Sequence, residues 1–284
     1  MTETVELKSG LYVTATPIGN LKDITLRALE VLKAVDIIAC EDTRVSGKLL
    51  SHYGIRTKLA PYHEHNAARV RPRLLARLGD GGRVALISDA GTPLISDPGM
   101  KLVAEAREQG FYVTTIPGAS AVLCSLAAAG LPSDRFTFLG FVPHKDRARA
   151  HLLDEAQLIA GTLIFFESAR RLPATLKAME RAFGAIRRVA LCREMTKMYE
   201  EVLILPLGQM RADIEGRPSL KGEIVILVAP APAAATDQEK LDQALAEALQ
   251  NLSVREAATA IAYATGLPRR RIYTRALELK EAGK

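Results

Sequence analysis

The amino-acid sequence predicts an α/β protein that consists of two α/β domains and a C-terminal helical extension. Short apolar runs rich in β-branched residues alternate with longer segments of helical periodicity, which is the pattern of strands connected by helices. The connections between the later strands become shorter. After a Pro/Ala-rich linker at residues 229–236, only helical periodicity remains. We therefore place the domains at residues 1–117, 118–230 and 237–284.

The first domain is expected to hold five strands that alternate with helices. The strands are predicted at residues 11–16, 35–40, near 59, 84–87 and 112–116, and the helices at 25–34, 46–53, 67–78 and from about 97 to 109. The last of these helices is expected to begin with Asp97 as its N-cap and Pro98 at its first helical position. Regular alternation of this kind predicts a mostly parallel sheet.

The second domain is expected to combine five strands with three helices. The strands are predicted at residues 136–141, 162–166, 189–192, 201–205 and 223–228, and the helices at 121–129, 144–159 and 173–182. Short connections between the last three strands favour antiparallel or mixed pairing.

The extension is predicted to be helical and basic. Leucines recur every four residues from Leu241, and two more amphipathic helices are predicted at 254–264 and 269–280. Ala262 and Gly266 suit two helices that cross closely at a tight turn, as in a helix-turn-helix. The final 32 residues carry seven Lys or Arg and three Glu.

Three arginines, Arg269 to Arg271, open the last predicted helix. Positive charge at the N-terminus of a helix interacts unfavourably with the helix dipole, so we expect these arginines to make a favourable interaction with another group. Contact with nucleic-acid phosphates would supply one, and a solvated charged face is the alternative.

The overall composition limits the possible compartments and ligands. The chain has 284 residues, 48% of them hydrophobic, and a net charge of +6, which allows an anionic partner without requiring one. Its three cysteines, Cys40, Cys124 and Cys192, stand alone in apolar runs, which is typical of reduced thiols in a cytoplasmic protein. No Cys/His spacing suits zinc, so no metal site is expected. The polar start of the chain does not resemble a signal peptide, and no apolar run reaches about 18 residues, so no membrane span is expected.

Polar and turn-forming residues follow all five predicted strands of the first domain. These clusters lie at residues 17–20, 41–44, 63–66, 88–93 and 117–120. Because the carboxyl ends of parallel strands lie along one edge of a sheet, we expect the clusters to form a ligand cleft. The loop after the fourth strand is about twice the usual length for such a connection, and Gly91 would let a ligand approach its backbone closely.

The ligand of this cleft is expected to lack phosphate groups. Residues 79–84 resemble the start of a dinucleotide-binding pattern, but the third glycine is missing and a strand follows instead of a helix. A P-loop is also absent from the sequence. Backbone groups at glycines and small residues suit a ligand without phosphates better.

Candidate catalytic side chains stand at the strand ends. Ser96, Ser120 and the cysteines lie in no nucleophile elbow. His63 and His65 could act as bases or could cap the following helix. Glu41 and Asp42 could serve chemistry or could form an internal ion pair with Arg44, and Glu167 and Glu194 could face the cleft from the second domain.

Six segments together resemble the tetrapyrrole methylase superfamily. They are 14–25, 40–44, 62–66, 86–99, 116–121 and 221–225, and the resemblance covers about residues 10–230. Within the superfamily, the chain is similar to the group that transfers a methyl group from S-adenosylmethionine to the 2′-hydroxyl of a cytidine in bacterial 16S ribosomal RNA. That group often carries a basic C-terminal helical extension.

The resemblance implies a fold and a cofactor site. The cofactor, S-adenosylmethionine, would lie in the cleft between the two α/β domains, and two chains would form a homodimer. The matching positions are Pro17 at the border of the cofactor, Ala90, Gly91, Thr92, Pro93 and Ile95 around its methionine part and ribose, Ser120 and Ala121 at its carboxylate, and Phe166 or Glu167, Met195 and Gly222 beside its adenine.

The acceptor side is assigned to the strand-end clusters. The candidates are Glu41, Asp42, Arg44, His63 and Asn66. A carboxylate or His63 would take the proton of the ribose hydroxyl, and Arg44 would hold an RNA phosphate. Two alternatives remain: a related methyltransferase that acts on a tetrapyrrole or a modified protein side chain, and a non-catalytic RNA-binding protein.

Overall fold

A computed structural model describes residues 7–95, 99–231, 235–265 and 267–282. The chain divides into two compact units, Met1–Pro230 and Ala231–Lys284. Both sheets belong to the first unit. Within the described ranges, no helix has the length and apolar character needed to cross a membrane.

The first sheet is entirely parallel, as predicted. Its strands are β1 (Gly10–Thr14), β2 (Ile37–Cys40), β3 (Leu59–Pro61), β4 (Arg83–Ile87) and β5 (Val113–Ile116), in the order β3-β2-β4-β1-β5. The helices are α1 (Leu26–Ala34), α2 (Thr43–His52), α3 (Ala67–Gly79) and α4 (Met100–Glu108). Separate apolar clusters cover the two faces of the sheet, so its central strands are buried on both sides.

The second sheet is mixed, which confirms the prediction for this region. Its strands are β6 (Phe136–Phe141), β7 (Thr162–Ser168), β8 (Arg188–Arg193), β9 (Glu201–Pro206) and β10 (Glu223–Val228), in the order β6-β7-β10-β8-β9. Only the β6–β7 pair is parallel. The helices are α5 (Ala121–Ala129), α6 (Asp146–Ala156), α7 (Leu172–Phe183) and α8 (Leu207–Glu215).

Two sequence-based expectations about helices are wrong. Helix α8 lies between β9 and β10, where only a short connection was expected; its buried residues Leu207, Met210 and Ile214 follow a helical period that would have revealed it. Helix α4 begins at Met100 with Gly99 at the N-cap position, at a φ of 135° that suits glycine. The expected cap Asp97 and its neighbour Pro98 lie outside the described residues.

The boundary between the two sheet domains remains a proposal. Helix α5 follows the first sheet in sequence, yet its residues Val122, Leu126 and Ala129 pack with residues of the second sheet. This packing favours a boundary near residue 117, as proposed from the sequence.

The C-terminal unit is built from helices α9 (Ala235–Leu249), α10 (Val254–Thr265) and α11 (Arg269–Ala282). Their shared core contains Leu241, Leu245, Ala258, Ile272 and Ala276. Ser253 and Glu256 cap α10 reciprocally, because each side chain accepts a hydrogen bond from the other residue's backbone N–H. Gly266, expected at the turn between α10 and α11, lies outside the described residues.

Candidate active site

A cavity of about 270 Å³ opens at the carboxyl edge of the first sheet and is closed by the second sheet. Loops after β1, β4 and β5 form one wall, and residues of β6, β7, β8 and β10 form the other. The lining residues are Ile18, Asp89, Ala90, Gly91, Thr92, Ile95, Ser120, Ala121, Val122, Phe141, Phe166, Glu167, Cys192, Met195, Glu223, Ile224 and Val225.

The loops after β1 and β4 are joined by a backbone bridge. Thr16 N–H donates to Gly91 O at 2.9 Å, and Gly91 N–H donates to Thr16 O at 3.1 Å. The Thr16 hydroxyl donates to Ser88 O at 3.0 Å, and the Ser88 hydroxyl donates to Gly91 O at 3.2 Å. Gly91 has a φ of 81°, and a Cβ there would lie 3.3 Å from Ile18 Cγ2. Residues 88–91 of this loop are therefore fixed against the end of β1.

The start of α5 supplies a polar but uncharged corner of the cavity. Ser120 caps this helix by accepting a hydrogen bond from Leu123 N–H at 3.5 Å. The Thr92 hydroxyl donates to Ala119 O at 3.3 Å, which ties this corner to the β4 loop. Because helix N-termini carry partial positive charge, Ser120 and Ala121 suit the carboxylate of a ligand.

An aromatic cluster forms part of the opposite wall. The Phe166 ring packs edge-on against Phe138 and Phe141, with centroid distances of 4.7 and 5.3 Å. The pairing of β6 with β7 is irregular between Phe138 and Phe141, and Gly140 within that stretch has a φ of 71°. Phe141 lines the cavity although 58% of its surface is exposed, so it offers a face to a flat ring.

The turn after β8 is held in an unusual conformation beside Met195. Glu194 and Thr196 have φ values of 51° and 66°. Glu194 Oε1 accepts hydrogen bonds from Lys197 Nζ at 2.9 Å and from Glu223 N–H at 3.0 Å. The bond from Lys197 is the main reason why the Glu194 pKa lies below its usual value. This network fixes the backbone on both sides of Met195.

Gly222 supports the same turn through its small size. A Cβ at this position would lie only 2.5 Å from Glu194 Cγ, and its φ of 105° also favours glycine. Gly222 itself does not line the cavity. Its neighbour Glu223 does, so the glycine contributes by allowing β10 to approach the β8 turn.

The buried carboxylate of Glu167 is fully engaged by neighbouring residues of the second domain. Arg171 forms an ion pair with it at 2.5 Å, Ser168 N–H donates to it at 2.7 Å, and the Thr175 hydroxyl donates at 2.6 Å. The side chain has no exposed surface. Glu167 therefore lines the cavity without a free carboxylate to offer.

The cavity lining contains acidic residues but no Lys, Arg or His among the described residues. Its only thiol, Cys192, is buried, which raises the thiol pKa to about 11 and argues against a nucleophilic role. In the same described part of the chain, no three His, Cys, Asp or Glu side chains are grouped to hold a metal ion. This composition suits a ligand without phosphates.

The ends of β2 and β3 form an acceptor-side edge that is separate from the cavity lining. Asp42 N–H donates to Asp89 Oδ1 at 3.1 Å, which connects this edge to the cavity. Burial raises the pKa of Glu41, and the negative charge of Asp89 raises it further. Glu41 therefore holds a proton more readily than an exposed glutamate does.

The neighbouring Asp42 and Arg44 form an ion pair, which is one of the two possibilities that the sequence left open for Asp42. Arg44 donates to Asp42 at 2.6 Å, and Asp42 also caps α2 by accepting from Arg44 N–H. These bonds lower the Asp42 pKa to about 2. The ionised Asp42 carboxylate therefore stabilises the folded state at pH values above the ordinary pKa of aspartate. This stabilisation is lost as the pH falls toward 2.

His63 and Asn66 belong to one turn at the end of β3. Asn66 Oδ1 accepts from His63 N–H at 2.9 Å, and Asn66 Nδ2 donates to Pro61 O at 3.0 Å. His63 Nδ1 is buried and has no hydrogen-bond partner among the residues that the structure describes. Asn66 thus shapes the turn that holds His63.

Comparison with known proteins identifies the family. Residues 10–211 match the model for Tetrapyrrole (Corrin/Porphyrin) Methylases, and residues 235–280 match the RsmI C-terminal HTH domain. The chain is 50% identical over 275 residues to ribosomal RNA small subunit methyltransferase I of Mesorhizobium japonicum, covering 97% of this chain and 94% of that protein. It is 44% identical to the protein of the same name from Escherichia coli O157:H7, covering 94% of each. The chain belongs to this family of tetrapyrrole methylases. It is therefore a methyltransferase.

Solved structures of the wider family share the fold. Diphthine synthase matches with a TM-score of 0.61 and 16% identity, over 77% of this chain and 89% of its own. Uroporphyrin-III-C-methyltransferase from Thermus thermophilus matches with a TM-score of 0.54 and 19% identity, over 78% and 94%. At this identity, the two structures support the fold alone.

The cavity brings together most of the positions that the family resemblance assigned to the cofactor. Those that line it are Ala90, Gly91, Thr92, Ile95, Ser120, Ala121, Phe166, Glu167 and Met195. Pro17 and Pro93 are buried next to lining residues, and Gly222 supports the wall from behind. None of the acceptor candidates lines the cavity. The assignment of all these residues to a methylase site remains a proposal.

Several lining residues were not assigned individually to the ligand from the sequence, although Ile18 and Asp89 lie within the predicted cleft clusters. They are Ile18, Asp89, Val122, Phe141, Cys192, Glu223, Ile224 and Val225. Ile18, Asp89 and residues 223–225 lie within the six segments that resemble the tetrapyrrole methylase superfamily, so their position in the sequence could have indicated them. No sequence signal indicated Phe141, because the irregular strand pairing next to it is not visible in the sequence.

Replacing Gly91 with alanine tests the role of the β4 loop. Gly110→Ala is a matched control, because Gly110 has a φ of 78° and open space where its Cβ would stand. Both variants should lose about 1–2 kcal/mol of stability through backbone strain. Only Gly91→Ala should also displace Ile18 and weaken S-adenosylmethionine binding, by about tenfold or more in calorimetry. Equal affinities of the two variants would contradict the loop's assignment.

Proposed function

We propose that this protein transfers a methyl group from S-adenosylmethionine to the 2′-hydroxyl of a cytidine in 16S ribosomal RNA of the small ribosomal subunit. One observation carries the proposal. A cavity without basic side chains, bounded by the start of α5 and by Phe141 and Phe166, lies next to a strand edge that carries Glu41 and His63. The names of the relatives at 44–50% identity support ribosomal RNA as the substrate.

The residues of the cavity suit S-adenosylmethionine. The N-terminus of α5 would receive its carboxylate, and Asp89 would favour its positive charge, whereas the Glu223 carboxylate is paired with Lys197 at 3.1 Å. Gly91 allows the loop backbone to lie close to the ligand. Phe141 and Phe166 would contact the adenine, with Met195 nearby.

The acceptor edge supplies groups that could take up a proton. When bound, the cofactor would supply a methyl group on a positively charged sulfur. The ribose oxygen would bond to the methyl carbon, and the electron pair of the broken carbon–sulfur bond would stay on sulfur. Glu41 would accept the hydroxyl proton, because burial and Asp89 raise its pKa and make it a stronger base than Asp42. His63, at the end of β3, would help to orient the acceptor.

Holding the acceptor oxygen in line with the methyl group would provide most of the rate enhancement. Asp42 and Arg44 would support this edge: Asp42 fixes the start of α2, and 86% of the Arg44 side chain is exposed, so Arg44 could contact an RNA phosphate. Asn66 would hold His63 through their shared turn.

The C-terminal unit would bind RNA. Arg269, Arg270 and Arg271 are all exposed at the start of α11. They would contact phosphates of the ribosomal RNA. We further propose that the protein acts as a homodimer in the bacterial cytoplasm, which the molar mass in solution would test.

Mapping of 2′-O-methylation tests the function directly. Small ribosomal subunits that lack the modification, incubated with the protein and labelled S-adenosylmethionine, should gain one methyl group on a cytidine ribose of the 16S RNA. Label on a base, on a ribosomal protein or on an added tetrapyrrole would favour a related methyltransferase. A non-catalytic RNA-binding protein would not bind S-adenosylmethionine, so a calorimetric binding measurement distinguishes that alternative from a methyltransferase.

The Glu41→Gln variant tests the proposed base. We expect it to lower kcat by about 10²- to 10⁴-fold while S-adenosylmethionine binding stays unchanged. The wild-type rate should fall on acidification at a pH above the ordinary glutamate value of 4.5, since the Glu41 pKa is raised. Glu64→Gln is the control, because Glu64 is an exposed glutamate beside His63. A normal kcat for Glu41→Gln would remove Glu41 from this role.

Combined Arg269→Gln, Arg270→Gln and Arg271→Gln substitutions test the C-terminal unit. RNA binding should weaken and become less sensitive to salt, because fewer phosphates are contacted. S-adenosylmethionine affinity should not change. Unaltered affinity for small ribosomal subunits would show that these arginines form only a solvated surface.

A further inference from the structure

A basic groove runs along the outer edge of the first sheet. It lies between α3 and β3, has a volume of about 560 Å³ and is lined by four exposed basic residues, Lys58, Arg69, Arg73 and Arg77. The strand β3 is the last in its sheet and pairs only with β2. Its second edge therefore faces the groove.

The three arginines form a regular row. They are four residues apart on α3, so they repeat on one face of the helix at intervals of about 6 Å along its axis. Val70 and Leu74 also line the groove, and Leu74 is buried. The helix is thus anchored by its apolar residues while its guanidinium groups reach into the groove.

These arginines have no acidic partner in direct contact. No ion pair or hydrogen bond joins Arg69, Arg73 or Arg77 to a carboxylate in the described part of the chain. Their neighbour Arg71, in contrast, pairs with Glu105 at 2.8 Å. The one acidic residue among the groove's described lining, Asp36, accepts two hydrogen bonds from Arg83, at 2.7 and 3.2 Å, and the charge of Arg77 acts on it without direct contact. A row of unpaired arginines in a concave surface favours a polyanion.

The groove leads to the proposed acceptor edge. Pro61 and Asn66 line one end of it, and Asn66 holds the turn that contains His63. Because neighbouring strands are about 5 Å apart, the end of β3 is about 10 Å from the end of β4 at the cavity. A chain lying in the groove would therefore arrive beside Glu41 and His63.

We propose that this groove binds the sugar–phosphate backbone of the RNA strand that carries the acceptor ribose. The proposal rests on the proposed function, and it adds a second RNA contact, separate from the C-terminal unit. The short β3 edge offers little to a protein strand, since it has three residues and Pro61 has no N–H to donate. Arginine forks match phosphate oxygens.

The test compares two triple variants that lose the same charge. Arg69→Gln, Arg73→Gln and Arg77→Gln remove the row, and glutamine preserves helix propensity. Lys177→Gln, Arg181→Gln and Arg188→Gln remove three exposed charges from the second domain. A third variant with lysine at 69, 73 and 77 keeps the charge. Binding is measured with protein-free 16S ribosomal RNA over a range of salt concentrations, and methylation with unmodified small subunits.

The glutamine row variant should raise the KM for subunits about tenfold or more with little change in kcat. The slope of log affinity against log salt should fall by about 2 to 3, since each phosphate contact contributes roughly 0.7 to 0.9. The lysine variant should recover most of the affinity, and the control triple should resemble wild type. S-adenosylmethionine affinity should be equal in all four proteins.

Equal RNA affinity of the row variant and the control would overturn the proposal. A loss on intact subunits without a loss on protein-free RNA would also overturn it, since the groove would then contact a ribosomal protein. If wild-type protein methylates no ribosomal RNA, the proposed function fails. The RNA-binding measurements then still decide whether the groove binds nucleic acid.

Discussion

The candidate site depends on the backbone bridge between Thr16 and Gly91. A long polar loop beside a sheet must satisfy its own buried N–H and C=O groups, and the bridge does so for two loops at once. The hydroxyls of Thr16 and Ser88 donate hydrogen bonds to backbone carbonyls of the same loop. A ligand that meets this loop does not have to order it, so little of the binding free energy is lost to conformational entropy.

The two sheets contribute differently because their strands pair differently. Parallel pairing gathers the loops of the first sheet at one edge, where backbone groups and the start of α5 face the cavity. In the second sheet, β7 and β10 are antiparallel neighbours, and the paired residues Phe166 and Val225 both line the cavity. The first wall therefore contributes backbone groups of its loops, and the second contributes the aromatic rings of Phe141 and Phe166. Asn20 N–H, which donates to Thr196 Oγ1 at 3.1 Å, links the two walls.

The sequence predicted the strands, the parallel first sheet and nine of the seventeen lining residues, because short-range patterns and family segments encode them. It did not predict what depends on tertiary contacts. The irregular pairing that presents Phe141 and the engagement of Glu167 by Arg171 and Thr175 involve partners that only the folded chain brings together. Gly222 was assigned to the ligand, whereas its small size makes room for Glu194. Its assignment to the ligand stays a prediction.

The distribution of charge separates the two ligands of the proposed reaction. Acidic residues line the cavity, and the exposed arginines of α3 and α11 are not among its described lining residues. Asp89 would favour a positively charged ligand before transfer more than the neutral product after it, so it would assist product release. The same preference would stabilise the starting state more than the transition state, in which the charge is spreading. In the proposed reaction, acceleration would therefore come from the fixed position of the reacting atoms and from a base such as Glu41. A loop as firmly held as residues 88–92 is what such a mechanism requires.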